Sequence, residues 1–181
     1  SFREDGPLDM RMDRSQGTML GDLLDEVTPE ALADVIYQYG EERHSRRIAR
    51  SIVRARDDGT LTTTAELAAA VRRSIHYRGR FRIDPATRTF QALRIWVNRE
   101  LDELDVFLRL VMNRLTAGAR MVVISFHSLE DRVVKHTLRD LEKSGAPVRV
   151  LTRKPLRPGV DEVARNPRAR SARLRAAEKV A

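Results

Sequence analysis

The sequence predicts an α/β protein in which part of a strand-and-helix layer is joined to a unit built of helices alone. Three observations carry that expectation. Met121 to Ile124 is a continuous apolar run, rich in β-branched residues and too brief for a helix, which is how a strand buried on both faces of a sheet reads. Val148 to Leu151 and Ala172 to Ala176 are further short strand-like runs. Between Thr18 and Ile75, by contrast, apolar residues recur at helical spacing with no strand-like run among them.

Composition narrows the classes. A chain of 181 residues suffices for one ordinary domain or two small ones. No apolar run approaches the roughly 18 residues that a membrane-spanning helix needs, and no signal-peptide pattern opens the chain. The absence of cysteine excludes disulfides and thiolate metal sites, and suits a cytoplasmic protein. Four histidines without ligand spacing point to no metal site.

The net charge of +8 is unevenly placed. Residues 1–145 carry 24 Lys and Arg against 23 Asp and Glu, whereas residues 146–181 carry 10 against 3. Arginine greatly outnumbers lysine, and a guanidinium fork suits bidentate phosphate contact better than an ammonium does. The expectation is nucleic-acid contact; the alternative is a solvated basic surface.

Taken in order, Ser1 to Asp13 is irregular. Asp9, Arg11 and Asp13 alternate there with Leu8, Met10 and Met12. The two aspartates lack the further oxygen ligands of a metal site, so the segment reads as extended chain whose charges pair with one another. Thr28-Pro29 is a helix N-cap with proline at the first helical position. The face Leu32, Val35, Ile36 and Tyr39 follows, and Gly40 stops that helix. Glu41 to Arg56 is the next helix, with Ile48, Ile52 and Ala55 inward and a stripe of Arg43, Arg47, Arg50 and Arg54 on another side. That stripe suits a phosphate backbone, or a solvated face paired with nearby carboxylates. Asp57-Asp58-Gly59 turns the chain, and Thr62 to Thr64 cap a helix carrying Leu67, Ala68, Val71 and Ile75.

Arg72 to Arg82 is a basic linker interleaved with Tyr77 and Phe81, a composition that suits single-stranded RNA or ordinary packing on a neighbour. Asp84-Pro85 starts a helical stripe of Phe90, Leu93, Val97, Leu101, Leu104, Leu108, Val111 and Leu115, on one long helix or on two broken near Asn98. Trp96 reads as core. Ala117-Gly118-Ala119 supplies the glycine that ends the helix before the Met121 strand. Asp131 to Glu142 continues as a helix. A loop over 152–171, holding Arg153, Lys154, Arg157, Arg165, Arg168 and Arg170, then joins the last two strands.

The stretch after Ile124 is the best candidate site. A buried strand opens abruptly into Ser125, His127, Ser128, Glu130, Asp131 and Arg132, and ligands of open α/β sheets bind beyond the carboxyl ends of strands. Ser128 followed by Asp131 fits a capping-box variant, and His127 a helix-capping role, beside the catalytic one. A hydrolase built on Ser125 or Ser128 with His127 and Asp131 is the weakest reading, because neither serine sits in a G-x-S-x-G elbow.

FQALRIWVNREL, VVISFHSLEDRVVK and RNPRARSARLRAAEK, with GPLDMRMD and YGEER upstream, resemble in order the motifs of the MraW/RsmH family, from Phe2 to nearly the last residue. That family comprises S-adenosylmethionine-dependent methyltransferases acting on N4 of a cytidine in small-subunit ribosomal RNA. The resemblance implies the second half of a class I (Rossmann-like) methyltransferase sheet plus an inserted all-helical subdomain. On it, 1–16 is the segment leaving the catalytic loop, 17–82 the helical subdomain with its basic linker, and 83–181 the C-terminal half of the methyltransferase domain. Ser125, His127 and Asp131 become the candidate catalytic residues. Arg43, Arg47, Arg50, Arg54, Arg153, Arg165, Arg168 and Arg170 become the candidate RNA contacts.

The implied cofactor is S-adenosylmethionine, and the implied partners are 16S ribosomal RNA in the small subunit and a second copy of the chain. The sequence has no glycine-rich strand-to-helix loop with an acid about 20 residues beyond it. In the family those parts precede the position matching Ser1. No cofactor-binding residue is therefore assigned here, and the chain is expected to be the C-terminal part of a longer enzyme. The competing expectation is a basic RNA-binding module without catalysis.

Overall fold

The computed structural model describes residues 5–75 and 84–181. Tyr77 and Phe81 of the basic linker lie outside the described residues. The chain divides into two compact units, Ser1–Glu100 and Leu101–Ala181.

The first unit is all-helical among the described residues: α1 (Leu20–Glu26), α2 (Pro29–Gly40), α3 (Ser45–Asp57), α4 (Thr64–Ser74) and α5 (Ala86–Asn98). Their inward faces meet in a core whose fully buried members include Leu20, Leu32, Ile36, Ile48, Ile52, Leu67 and Leu93, each contributing about 1.5–3 kcal/mol. Trp96 packs against that core, as its place beside the apolar stripe predicts.

Local chemistry sets the ends. The Thr28 hydroxyl accepts from the Ala31 N–H at 3.2 Å with Pro29 behind it. Thr63 and Glu66 form a full capping box at α4. Asp5 accepts from the Ala65 N–H at 3.0 Å, and that bond does most to hold its carboxyl below the ordinary value. In the N-terminal segment charges pair as expected, Asp9 with Arg11 Nε at 2.6 Å and Arg14 Nε at 3.7 Å, but the chain is bent instead of extended: Met10 is left-handed with φ 59°, and Asp13 accepts from the Ser15 N–H and hydroxyl in a turn.

Two boundaries in this unit differ from the expectation. Gly40 lies inside α2, and the left-handed residue that ends the helix is Glu41, with φ 50°. A Cβ on Gly40 would stand 2.8 Å from the Arg88 carbonyl oxygen of α5, so the glycine serves close helix approach instead of termination. Helix α3 then begins at Ser45, not Glu41, because the Glu42 carboxylate accepts from the His44 N–H at 2.8 Å and holds the connection in a turn.

The long apolar stripe is two helices. Asn98 closes α5 by accepting from Met12 N–H at 2.7 Å and donating to the Met10 carbonyl at 2.9 Å, and Arg99 turns left-handed after it. The second unit opens with α6 (Leu104–Arg114) and continues through β1 (Arg120–Ser125), α7 (Ser128–Lys143), β2 (Val148–Val150), α8 (Val160–Arg165) and β3 (Arg173–Lys179). Gly118, with φ 84°, does not end α6, which stops earlier. It shapes the turn into β1, and its N–H donates to the Lys179 carbonyl at 2.7 Å.

The sheet order is β1-β3-β2, with β3 antiparallel to both neighbours. Helix α7 covers one face, where Leu108, Met112, Met121, Val134, Leu138, Leu141, Val148 and Ala177 form a second core. The expectation that β1 is buried on both faces is overturned. Met121 is 8% exposed, but Val122 is 56% and Ile124 54% exposed, because β1 is an edge strand and no described element covers its second face.

Strand β3 runs further than expected because its charged end is paired. Glu178 lies between Arg120 and Arg149 at 2.9 Å from each, a ladder across all three strands. The segment expected as a loop is partly structured: α8 follows its N-cap Gly159 with Asp161 and Glu162 in its first turn, a 3₁₀ turn spans Pro167–Ser171, and Leu156 bridges to Leu174.

Candidate functional site

Strand β1 delivers Ser125 to the mouth of the second unit, and α7 begins after one turn of chain. Its cap is His127, one of the two caps the sequence offered, and not Ser128. The His127 Nδ1 accepts from the Glu130 N–H at 3.3 Å, and the Glu130 carboxylate accepts from the Phe126 N–H at 2.9 Å and the His127 N–H at 3.4 Å. An imidazole thus fills the role that a serine or threonine usually has in a capping box. Serine 128 becomes the first helical residue.

With Nδ1 accepting, the proton of neutral His127 sits on Nε2. That atom is buried and lies 3.2 Å from Glu130 Oε1, yet out of line for a hydrogen bond. The pair is close enough for charge attraction when the ring is protonated, but its geometry is not that of a made bond. Burial works to raise the Glu130 pKa. The His127 side chain and the two backbone N–H groups outweigh it and hold the carboxyl down at about 2. In this arrangement His127 orients the strand-to-helix turn, and its lone pair is already committed.

Asp131 points the other way, into the sheet. Arg175 of β3 clasps it with two bonds, Nε at 2.6 Å and Nη2 at 3.1 Å, and Arg173 Nη1 stands 3.9 Å from the same carboxylate. Both Asp131 and Arg175 are buried, and Arg175 also donates to the Arg153 carbonyl at 3.4 Å. Ser125 is buried too, its hydroxyl donating to the Arg173 carbonyl at 3.4 Å. The three candidates therefore share one end of one unit, each tied to a different partner: Ser125 and Asp131 to β3, His127 to Glu130. No bond joins Ser125 to His127 among the described residues, and the hydrolase reading gains nothing from the geometry. Phe126 stands 54% exposed between them.

Sequence reasoning counted Glu130 in the polar run without giving it a role, and did not single out Arg175. Glu130 carried a signal, an acid three residues after a polar capping side chain. Arg175 carried none, since it lies 44 residues from its partner.

The basic candidates fall in two places. Arg43, Arg47, Arg50 and Arg54 are exposed on and beside α3 in the first unit, and Arg153, Arg165, Arg168 and Arg170 are exposed between β2 and β3 in the second. Of the latter, Arg165 donates to its own helix at the Asp161 carbonyl. Arg43, Arg50 and Arg54 pair with no carboxylate among the described residues.

The arrangement is a polar cluster at a strand end beside a helix start, in a chain carrying unpaired cations. A family model described as the MraW methylase family matches residues 1–180. The chain belongs to that family. It is 53% identical to the ribosomal RNA small subunit methyltransferase H of Sorangium cellulosum, over 99% of this chain and 56% of that protein. The methyltransferases of the same name from Acidobacterium capsulatum and a Cyanothece species are 54% and 53% identical, with 59% and 58% of their lengths covered. The chain thus spans a little over half the length of the curated relatives it matches.

No helix among the described residues is long and apolar enough to cross a membrane.

Proposed function

We propose that this chain is the C-terminal part of an S-adenosylmethionine-dependent methyltransferase acting on N4 of a cytidine in the decoding region of 16S ribosomal RNA, in the cytoplasm. The observation that carries the reading is the similarity to small-subunit ribosomal RNA methyltransferases over 99% of the chain. Strand β1 supports it: its backbone edge is where a further strand of a class I sheet would pair, and Val122 and Ile124 lie on the face that its further helices would cover. On this reading residues 1–16 leave the catalytic loop, 17–82 form the helical subdomain and 83–181 the C-terminal half of the catalytic domain.

The strand-to-helix junction of this chain does not fit the methyl donor. The β1–α7 junction is Ser125-Phe126-His127, closed by the imidazole cap, and offers no glycine-lined cradle. No residue of this chain is assigned to S-adenosylmethionine.

What the chain's own residues contribute is a fixed strand end. An exocyclic cytosine amine has its lone pair delocalised into the ring, and methylation requires acceptors that hold it pyramidal in a defined line. Asp131 and Arg175 pin the first turn of α7 to β3, and Glu130 and His127 lock the turn before it. Ser125, His127 and Asp131 then act by placing the polar groups of this turn against the extruded base.

Transfer of labelled methyl groups to small ribosomal subunits by the full-length gene product tests the reading. The expected result is transfer that falls on His127→Ala and Asp131→Asn, with rates taken on the folded fraction. Unchanged rates in both variants remove the site assignment. Absence of transfer by an intact product leaves the RNA-binding module, which the exposed Arg50 and Arg54 of α3, without a carboxylate partner among the described residues, favour.

A further inference from the structure

The connection from α2 to α3 encloses a cleft of about 460 Å³ in the helical unit, far in sequence from the strand-end cluster. Asp34 and Tyr37 of α2 line one side, and Arg43, Arg46, Arg47 and Arg50 line the other. Its size lies within the roughly 300–1,000 Å³ of small-ligand sites.

Three features of this cleft run against ordinary protein surfaces. Most described cations elsewhere in this unit are paired, as in Arg11–Asp9, Arg56–Asp57 and Arg72–Asp84. Arg43, Arg46 and Arg50 have no carboxylate partner among the described residues. Next, the first turn of α3 holds no acid and carries Arg46 and Arg47, which sets positive side chains against the positive end of the helix dipole, while the His44 side chain makes no capping bond. Sequence choices that oppose local stability mark sites kept for another purpose. Finally, Tyr37 is 61% exposed, a large ring left in solvent beside the cations.

Each side chain has a use in one ligand class. The guanidinium groups take phosphate oxygens, the Tyr37 ring offers a face for stacking, and Asp34 accepts from an exocyclic amine or ring N–H of a base. A lone phosphate would meet Asp34 as a repulsive charge, whereas a nucleotide turns that carboxylate into a base-edge contact. We propose that this cleft seats an unpaired nucleotide of an RNA chain. The inference rests on the ribosomal RNA reading for the identity of the polymer, and on the cleft alone for the nucleotide chemistry.

Fluorescence anisotropy of a short labelled single-stranded RNA on the full chain tests it, with a duplex of the same sequence and free CMP as competitors. All the substituted residues are exposed, and thermal melts check that each variant folds. Arg43→Ala and Arg50→Ala should each reduce the slope of log affinity against log salt by about 0.7. Tyr37→Ala should weaken binding about 5- to 100-fold at fixed salt with the slope unchanged, and Tyr37→Phe should restore it. Unchanged affinity in Tyr37→Ala overturns the nucleotide seat, and a duplex that competes equally well does the same. Free CMP that displaces the RNA at equal concentration assigns the cleft to a free nucleotide and also overturns it. The readout is RNA binding, so failed methyl transfer beside the expected binding pattern counts against the methyltransferase reading alone. Active transfer beside wild-type binding in every variant counts against the cleft alone.

Discussion

Glu130 shows how one side chain couples the turn to pH. Its ordinary carboxyl value is 4.5 and its value in the folded chain is about 2. A carboxyl depressed by folding adds stability that is fully present above 4.5 and is lost as pH falls through 2. Urea unfolding at stepped pH should therefore show wild type ahead of Glu130→Gln by on the order of 2 kcal/mol near neutrality, with the gap narrowing from pH 5 downward. A constant gap contradicts this account. Asp131 and Arg175 make a second residue-scale case. Arg175→Met alone leaves the buried Asp131 carboxylate with only the 3.9 Å approach of Arg173 and should cost about 3 kcal/mol, while Asp131→Leu with Arg175→Met should cost much less. Equal losses in single and double variants would mean that packing, not charge, sets the cost.

At the scale of elements, caps and close approaches dominate. Thr63→Ala removes a capping-box acceptor and should cost about 1 kcal/mol of unfolding free energy. Gly40→Ala should cost about 1–3 kcal/mol, since its new methyl meets the backbone of α5 and neither helix yields without moving core side chains. Much of this level was legible in the sequence. Thr28-Pro29 and Thr63 are chemical signals readable in a few residues, and the helical stripes from Leu32 to Val71 follow from spacing alone. What was not legible depended on distant chain. The role of Gly40 needs α5, and the uncovered face of β1 needs knowledge of what lies beside the sheet. The sequence left the cap of α7 open between His127 and Ser128, because imidazole and hydroxyl both satisfy a helix N-terminus and local pattern does not choose between them. That a strand ends at the polar run was legible from the apolar run before it, but the commitment of Asp131 to Arg175 is a tertiary fact with no local trace.

Over the whole molecule, charge is the feature that sequence reading grasped best. The basic excess of residues 146–181 is displayed on the segment between β2 and β3, with Arg153, Arg165, Arg168 and Arg170 all exposed. If these touch RNA phosphates, alanine at each should reduce the salt slope of RNA binding by about one without changing base preference. An unchanged slope returns them to solvated surface. The order of the strands has a different consequence. The middle strand, β3, is the last of the three along the chain, and β1 and β2 are hydrogen-bonded to it and not to each other. During synthesis both outer strands therefore emerge before the template that joins them exists. The second unit should close late, in one step and at the cost of long loops, whereas the helical unit can fold while the ribosome is still translating.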